Sequence, residues 1–195
     1  VVDGQRRGRW AGVSIKERQA RRRGELVSAG IELLGAPHGP ALTVRAVCRH
    51  AGLTERYFYE SFSDRDDFVR EIYNEVGGGA MAALASARTP RDAVEQFVAL
   101  MVDAPARGRV LLLAPSSEPA LARSGAAWMP NFIEMLAQRL ASLNDPVAQR
   151  LAATSLVGGL TALFTEYLDG RLPAERGQFI DYCVEFVTRH APRET

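Results

Sequence analysis

The chain has 195 residues and a mass of 21.3 kDa, room for one or two small domains and not for a large multidomain machine. It is 47% hydrophobic and 24% charged, values that exclude wholesale disorder. The net charge of +1 conceals a split: residues 1–60 carry 11 Lys and Arg against 6 Asp and Glu, and residues 61–195 carry 13 against 17. A basic amino-terminal third on an acidic body fits a nucleic-acid-binding end, and equally one solvated charged face.

The longest charge-free helical stretch, Leu151 to Thr165, is 15 residues long and contains Thr154, Ser155, Gly158 and Gly159. That is short of the roughly 20 apolar residues a bilayer requires, so no membrane partner is expected. The opening VVDGQRRGRW has no apolar core of a secretory signal. Cys48 and Cys183, far apart in sequence, read as small buried hydrophobes in a reducing cytoplasm.

Apolar residues recur at spacings of three and four through nearly the whole chain and no stretch alternates as a strand does, which predicts an all-α fold. Residues 1–13 form an irregular arm rich in Gly and Arg. Ser14, with Glu17 three residues on, has the signature of a capping box and opens the first helix. Ile15, Leu26, Ala29, Ile31, Leu33 and Leu34 supply its apolar stripe, Arg18, Arg21, Arg22 and Arg23 its polar side, and Gly35 ends it. Two short helices follow, Thr43 to His50 and about Thr54 to Tyr59. Gly52 takes the left-handed position that closes the first, and Thr54 starts the second. Asp64 caps a helix to about Val76, with Asp66 and Asp67 in its first turn. Gly77-Gly78-Gly79 is expected to break or kink the chain there. Further helices are drawn at Ala80 to Ala87, Arg91 to Asp103, Arg107 to Leu113, Pro119 to Leu143 (kinked or split at Pro130), Pro146 to Leu168 and Ala174 to His190.

Residues 43–68, TVRAVCRHAGLTERYFYESFSDRDDF, set two short helices either side of a tight Gly-containing turn, the pattern of a helix-turn-helix. Val44, Val47, Leu53, Phe58 and Phe62 are spaced for a small shared core that fixes how the two helices cross. Glu55, Arg56, Tyr57 and Tyr59 are left on the exposed side of the second helix, whose first residues enter a major groove. Arg56 can offer two donors to a guanine edge. Tyr57 can touch a thymine methyl or a sugar, or instead pack against the first helix. Thr43 and Thr54, each at a helix start, combine a hydroxyl with free backbone N–H groups suited to phosphate. Arg6, Arg7 and Arg9 can reach an adjacent minor groove, or add only nonspecific phosphate affinity.

Thr43, the turn Ala51-Gly52-Leu53-Thr54, and the run Phe58-Tyr59-Glu60-Ser61-Phe62 followed by Asp64-Arg65-Asp66 resemble the tetracycline-repressor (TetR) family of bacterial regulators. With the first helix and the continuation to about Val76, the resemblance spans a third of the chain. It implies a helix-turn-helix domain over residues 14–62 after the arm at 1–13, a connecting helix at 63–76, and a divergent helical ligand-binding and dimerisation domain at 77–195. It places Arg56 and Tyr57 where bases are faced, and Thr43, Thr54, Tyr59 and Arg65 where phosphates are held. Two departures stand out. Glu55 puts an acid where many relatives carry Lys, able to read a cytosine amino group or to select against wrong sites. Glu60-Ser61 replaces the aromatic or His residues common there, which puts one phosphate contact in question.

The remainder offers no catalytic constellation, and no metal or cofactor is expected: His38, His50 and His190 are scattered, and no Gly-rich phosphate loop occurs. Ser116-Ser117-Glu118 reads as a helix cap before Pro119. Gly158-Gly159 inside a helix costs roughly 1–2 kcal/mol in propensity, which points to close helix approach across a dimer or around a ligand. The last two helices present Leu156, Gly159, Leu160, Leu163, Tyr167 and Leu168, then Phe179, Tyr182, Phe186 and Val187, as the candidate interface of a homodimeric four-helix bundle. Leu84, Phe97, Met101, Leu112, Trp128, Phe132, Met135 and Phe164 are candidate pocket walls or else plain core. Glu134 and Glu166 are the ionisable residues placed nearest that cavity, or else exposed.

The reading that follows is a cytoplasmic, homodimeric DNA-binding repressor, not an enzyme, released from its operator by a small, largely apolar effector. Two others stay open. A DNA-binding protein without an effector would have an empty or collapsed body, and a carrier or enzyme with an incidental basic end lacks an evident nucleophile or base. One Lys beside 23 Arg suggests a GC-rich bacterial genome.

Overall fold

A computed structural model of the chain describes residues 14–37, 42–122, 125–140 and 143–190. Arg6, Arg7, Arg9 and Trp10 of the arm lie outside them, as does His38. The described residues form helices and no strand, as their periodicity predicts.

Helix α1 (Ile15–Leu34) opens on the expected capping box: the Glu17 N–H donates to Ser14 Oγ at 3.1 Å, and the Ser14 N–H to Glu17 Oε2 at 2.6 Å. These bonds hold the Glu17 carboxyl below its ordinary range. Leu26, Ala29 and Ile31 are buried and Leu33 and Leu34 half-buried, but Ile15 is exposed in the first turn. Helix α2 (Val44–Ala51) is capped by Thr43, whose hydroxyl accepts from the Ala46 N–H at 3.2 Å. It ends at Gly52 with φ 65°, where a side chain would cost roughly 1–2 kcal/mol. Helix α3 (Glu55–Tyr59) follows at once. Val47, Phe58 and Phe62 are buried, with Val44 and Leu53 packed against them, so the small shared core forms as its spacing requires.

Helix α4 (Arg65–Ser86) starts on Asp64, whose Oδ1 accepts from the Asp67 N–H at 2.7 Å. It does not break at Gly77-Gly78-Gly79. Gly77 is buried against the Trp128 indole, so closely that a Cβ there would lie 2.5 Å from the ring. Tertiary packing thus overrides the weak helix propensity of three glycines. Then come α5 (Pro90–Met101), α6 (Pro105–Leu112), α7 (Ala114–Ser117), α8 (Gly125–Arg139), α9 (Pro146–Leu168) and α10 (Arg176–His190). The helix expected from Pro119 to Leu143 is therefore shorter. Pro119 to Ala122 are turns, and Pro130 lies within an uninterrupted α8.

Helix α9 is longer and more apolar than its charge-free stretch implies. Its 23 residues, with a mean hydropathy of 1.3 over 18 of them, are long and apolar enough to cross a bilayer by length and composition. Here α9 lies against α6, α8 and α10 and buries Ala153, Leu156 and Phe164.

Helix α1 packs on α2, α3 and α4 and also reaches α6, while α4 continues outward to α5, α6 and α8. α8 pairs with α9, and α10 packs on α5 and α9. One buried core runs from Leu26 and Phe58 through Phe68 and Met101 to Phe164 and Phe179. Ala137, Leu140, Ala153 and Leu156 join α8 to α9 in a smaller one. Cys48 and Cys183 are buried free thiols, and burial pushes the Cys183 thiol up to about 11.

Candidate nucleic-acid interface and ligand cavity

Helix α3 is too short to be stable alone, so its neighbours decide what it presents. Phe58 anchors it inward, which turns Glu55, Arg56 and Tyr59 to solvent. Tyr57 is half-buried instead, with the α1 guanidinium of Arg22 stacked 4.1 Å from its ring centroid. This contact packs Tyr57 against α1. Arg22 also lies 3.8 Å from Glu60, and Glu60 Oε1 accepts from Arg56 Nε at 2.9 Å. The acid that departs from the family pattern therefore steers Arg56 along α3. Glu55 sits 3.8 Å from Arg45 of α2. Thr43 commits its hydroxyl to the α2 cap, whereas exposed Thr54 makes no capping bond.

The arginines of α1 are more than a solvated face. Arg23 donates to the Ser61 carbonyl at 3.1 Å, pairs with Glu71 at 2.6 Å and lies 4.5 Å from the Phe62 ring centroid. This binds α1 to the end of α3 and to α4.

Arg65 is tied within the chain. Its Nε donates to the Leu42 carbonyl at 2.7 Å, just ahead of α2, and Nη1 and Nη2 donate to the two Glu118 carboxylate oxygens at 3.1 and 2.6 Å. Glu118, immediately after α7, is thus more than a cap for Pro119. The Arg65 guanidinium holds its carboxyl below the usual range. A second contact joins the same regions: Gly35 at the end of α1 meets the α6 backbone so closely that a Cβ would lie 2.2 Å from the Ala106 carbonyl oxygen.

Between α4, α5, α6, α8 and α9 lies a cavity of about 280 Å³. Its walls include Leu84, Phe97, Leu112, Trp128, Phe132, Met135 and Phe164, while Met101 sits in the core away from it. Glu134 and Glu166 face elsewhere, toward Arg150 and Arg171. The polar groups that do line the cavity include Tyr73, Thr161 and Arg139, none of them among the candidate wall residues read from the sequence. Arg139 follows Phe132 by seven residues and Leu136 by three on the apolar stripe of α8, a spacing that marks it as sharing the inward face.

The residues assigned to a dimer interface divide. Leu156 and Phe179 are buried within the protomer, Tyr167 stacks on Phe179 with centroids 4.2 Å apart, and Gly159 receives the ring of Phe186. Leu163 is half-buried, and Tyr182 is 56% exposed.

These features define an all-α helix-turn-helix protein with a cavity-bearing helical body. The fold is that of the TetR-family transcriptional regulators. No protein-family model matches the sequence. A TetR-like transcriptional regulator from Rhodococcus sp. RHA1 superposes with a TM-score of 0.67 at 18% identity, over 87% of this chain and 95% of that one. Multidrug binding protein EbrR complexed with malachite green gives a TM-score of 0.66 at 19% identity, over 88% and 99%. An uncharacterized HTH-type transcriptional regulator from Haemophilus influenzae is 29% identical over 165 residues, 80% of each chain.

Proposed function

We propose that the chain is a DNA-binding transcriptional regulator of the TetR family, acting as a homodimeric repressor that a small apolar effector releases from its operator. The observation that carries this reading is the joining of a helix-turn-helix to a cavity wall. Leu112 and Pro115 line the cavity, and Glu118, three residues beyond Pro115, grips Arg65, which in turn holds the Leu42 carbonyl at the start of α2. A ligand that moved α6 and α7 would shift this grip and the Gly35–Ala106 contact together. It would then favour a dimer whose recognition helices no longer match major grooves roughly 34–36 Å apart. The likeness to regulators, one of them holding a small molecule, supports the same reading.

On DNA, Arg56 exchanges Glu60 for a guanine edge, with Glu55 beside it, while Thr43, Thr54 and Tyr59 meet phosphates. Tyr57 and Arg65 act by holding α3 and α2 in place. Arg56→Ala is expected to weaken specific binding by about 1–3 kcal/mol and to relax preference at one base pair per half-site. Titration against operator variants tests this, and an unchanged preference rejects the assignment.

Glu118→Gln is expected to keep the fold and to weaken operator binding about fivefold or more, the lower end of usual coupling between sites. Because the folded carboxyl titrates below its ordinary 4.5, the contact contributes fully above that value and is lost only as pH falls through the lower one. Operator affinity should therefore lose its Glu118 contribution only in acid. Equal operator titrations of wild type and variant at neutral pH would remove the grip from the mechanism.

A further inference from the structure

The cavity's polar groups are all donors toward a ligand, with one exception. Tyr73 is 2% exposed, lines the cavity, and has no hydrogen-bond partner for its hydroxyl among the described residues. Burial pushes it up to about 12, so it stays a neutral O–H donor. Arg139 is exposed where it lines the cavity and so marks the mouth. Its Nη2 donates to the carbonyls of Leu84 and Ala85 at 2.7 and 2.9 Å, which fixes the guanidinium at the end of α4. Its Nε and Nη1 have no partner among the described residues, and no Asp or Glu lines the cavity. Thr161, the exception, donates to the Val157 carbonyl at 2.7 Å and can only accept.

We infer that the ligand is an elongated apolar monocarboxylate, its carboxylate at Arg139 and a hydrogen-bond acceptor near its other end at Tyr73. This rests on the reading of the body as an effector domain. An apolar cavity with a cation at its exposed edge and no acid among its lining residues rejects amphiphilic cations, since their charge would be desolvated beside a guanidinium with nothing to balance it. Arg is also the side chain whose paired N–H groups fit a carboxylate. The span follows from α4. Tyr73 and Leu84, whose carbonyl Arg139 holds, lie eleven residues apart, about 16 Å of helix. An extended chain advancing as a backbone does covers that in about 13 bonds.

The test is thermal-shift titration of the full chain with dodecanoate, dodecanol, dodecylammonium and 12-hydroxydodecanoate, all kept below micelle formation. In the wild type, dodecanoate should bind about tenfold tighter than the alcohol, dodecylammonium should not stabilise, and 12-hydroxydodecanoate should bind tightest. Arg139→Gln keeps a donor for the α4 carbonyls. It should lower dodecanoate affinity about tenfold and leave dodecanol unchanged. Tyr73→Phe should abolish the advantage of the terminal hydroxyl alone. Equal binding of the ammonium and carboxylate, stabilisation by none of the four, or a carboxylate preference surviving Arg139→Gln overturns the proposal. So does a hydroxyl advantage that survives Tyr73→Phe. Carboxylate-selective binding with unaltered operator titration leaves it standing and overturns the release mechanism. Operator release by the ammonium does the reverse.

Discussion

Phe58→Ala is expected to destabilise the amino-terminal unit by about 3–5 kcal/mol and to abolish operator binding. Phe58 is fully buried and is the single buried side chain of five-residue α3. Its ring meets Phe62 at 5.3 Å, Phe68 at 5.1 Å and Tyr59 at 5.4 Å between centroids. Truncation therefore removes the apolar transfer term, leaves a cavity among three rings, and detaches the helix that presents Arg56. A short helix has too little intrinsic stability to stay formed without that anchor. Phe58→Leu, close in volume, should cost well under half as much and keep partial operator affinity. Urea denaturation followed by operator titration measures both effects. A Phe58→Ala chain that keeps wild-type midpoint and affinity would show that the aromatic cluster does not position α3.

Local signals made this part of the fold legible in the sequence. Ser14 with Glu17, Thr43, Gly52 and Asp64 each act within four residues of themselves, and each does in the structure what its chemistry dictates. The TetR resemblance, read from the same residues, holds at the level of fold. What the sequence hid depends on partners far along the chain. Gly77 is helical because Trp128, 51 positions on, covers it. Arg65 pairs with Glu118 across 53 positions, and no local pattern announces that grip. Composition marked the aromatic and Met walls of the cavity. Glu134, which the sequence leaves either near the cavity or exposed, is exposed, and Arg139 supplies the cavity's charge. Five residues turn a helix by about 140° beyond a full turn, so the two cannot face the same way. Ile15 shows the converse: an apolar residue in register with a stripe is exposed where no other described helix covers the helix end.

In the proposed homodimer, Leu151→Glu is expected to yield monomers and to cost most of the operator affinity. Helix α9 exposes Val147, Leu151, Ser155, Gly158 and Ala162 at spacings of three and four, a single face from its first turn to Ala162. Val147 is 66% and Leu151 65% exposed, and Tyr182 of α10 is 56% exposed. Among the described residues a Cβ on Gly158 would meet nothing within 4 Å, so the face is open at that point, unlike Gly159, which is covered by Phe186. A twofold axis through that face would let two copies approach closely at Ser155 and Gly158 and bury the larger side chains to either side. Specific interfaces of this kind remove roughly 1,200–2,000 Å² from water, and a carboxylate at their centre is left desolvated and unpaired. A monomer engages one half-site, so it loses the gain from tethering a second, commonly a factor of 10²–10⁴. Phe186→Glu separates interface from core. Its ring packs on Gly159 of its own protomer, so that variant should lower the melting temperature, whereas Leu151→Glu should change it only through the lost dimer. Sedimentation and operator titration of both variants decide the matter: a fully dimeric Leu151→Glu chain would move the interface to another face of the body.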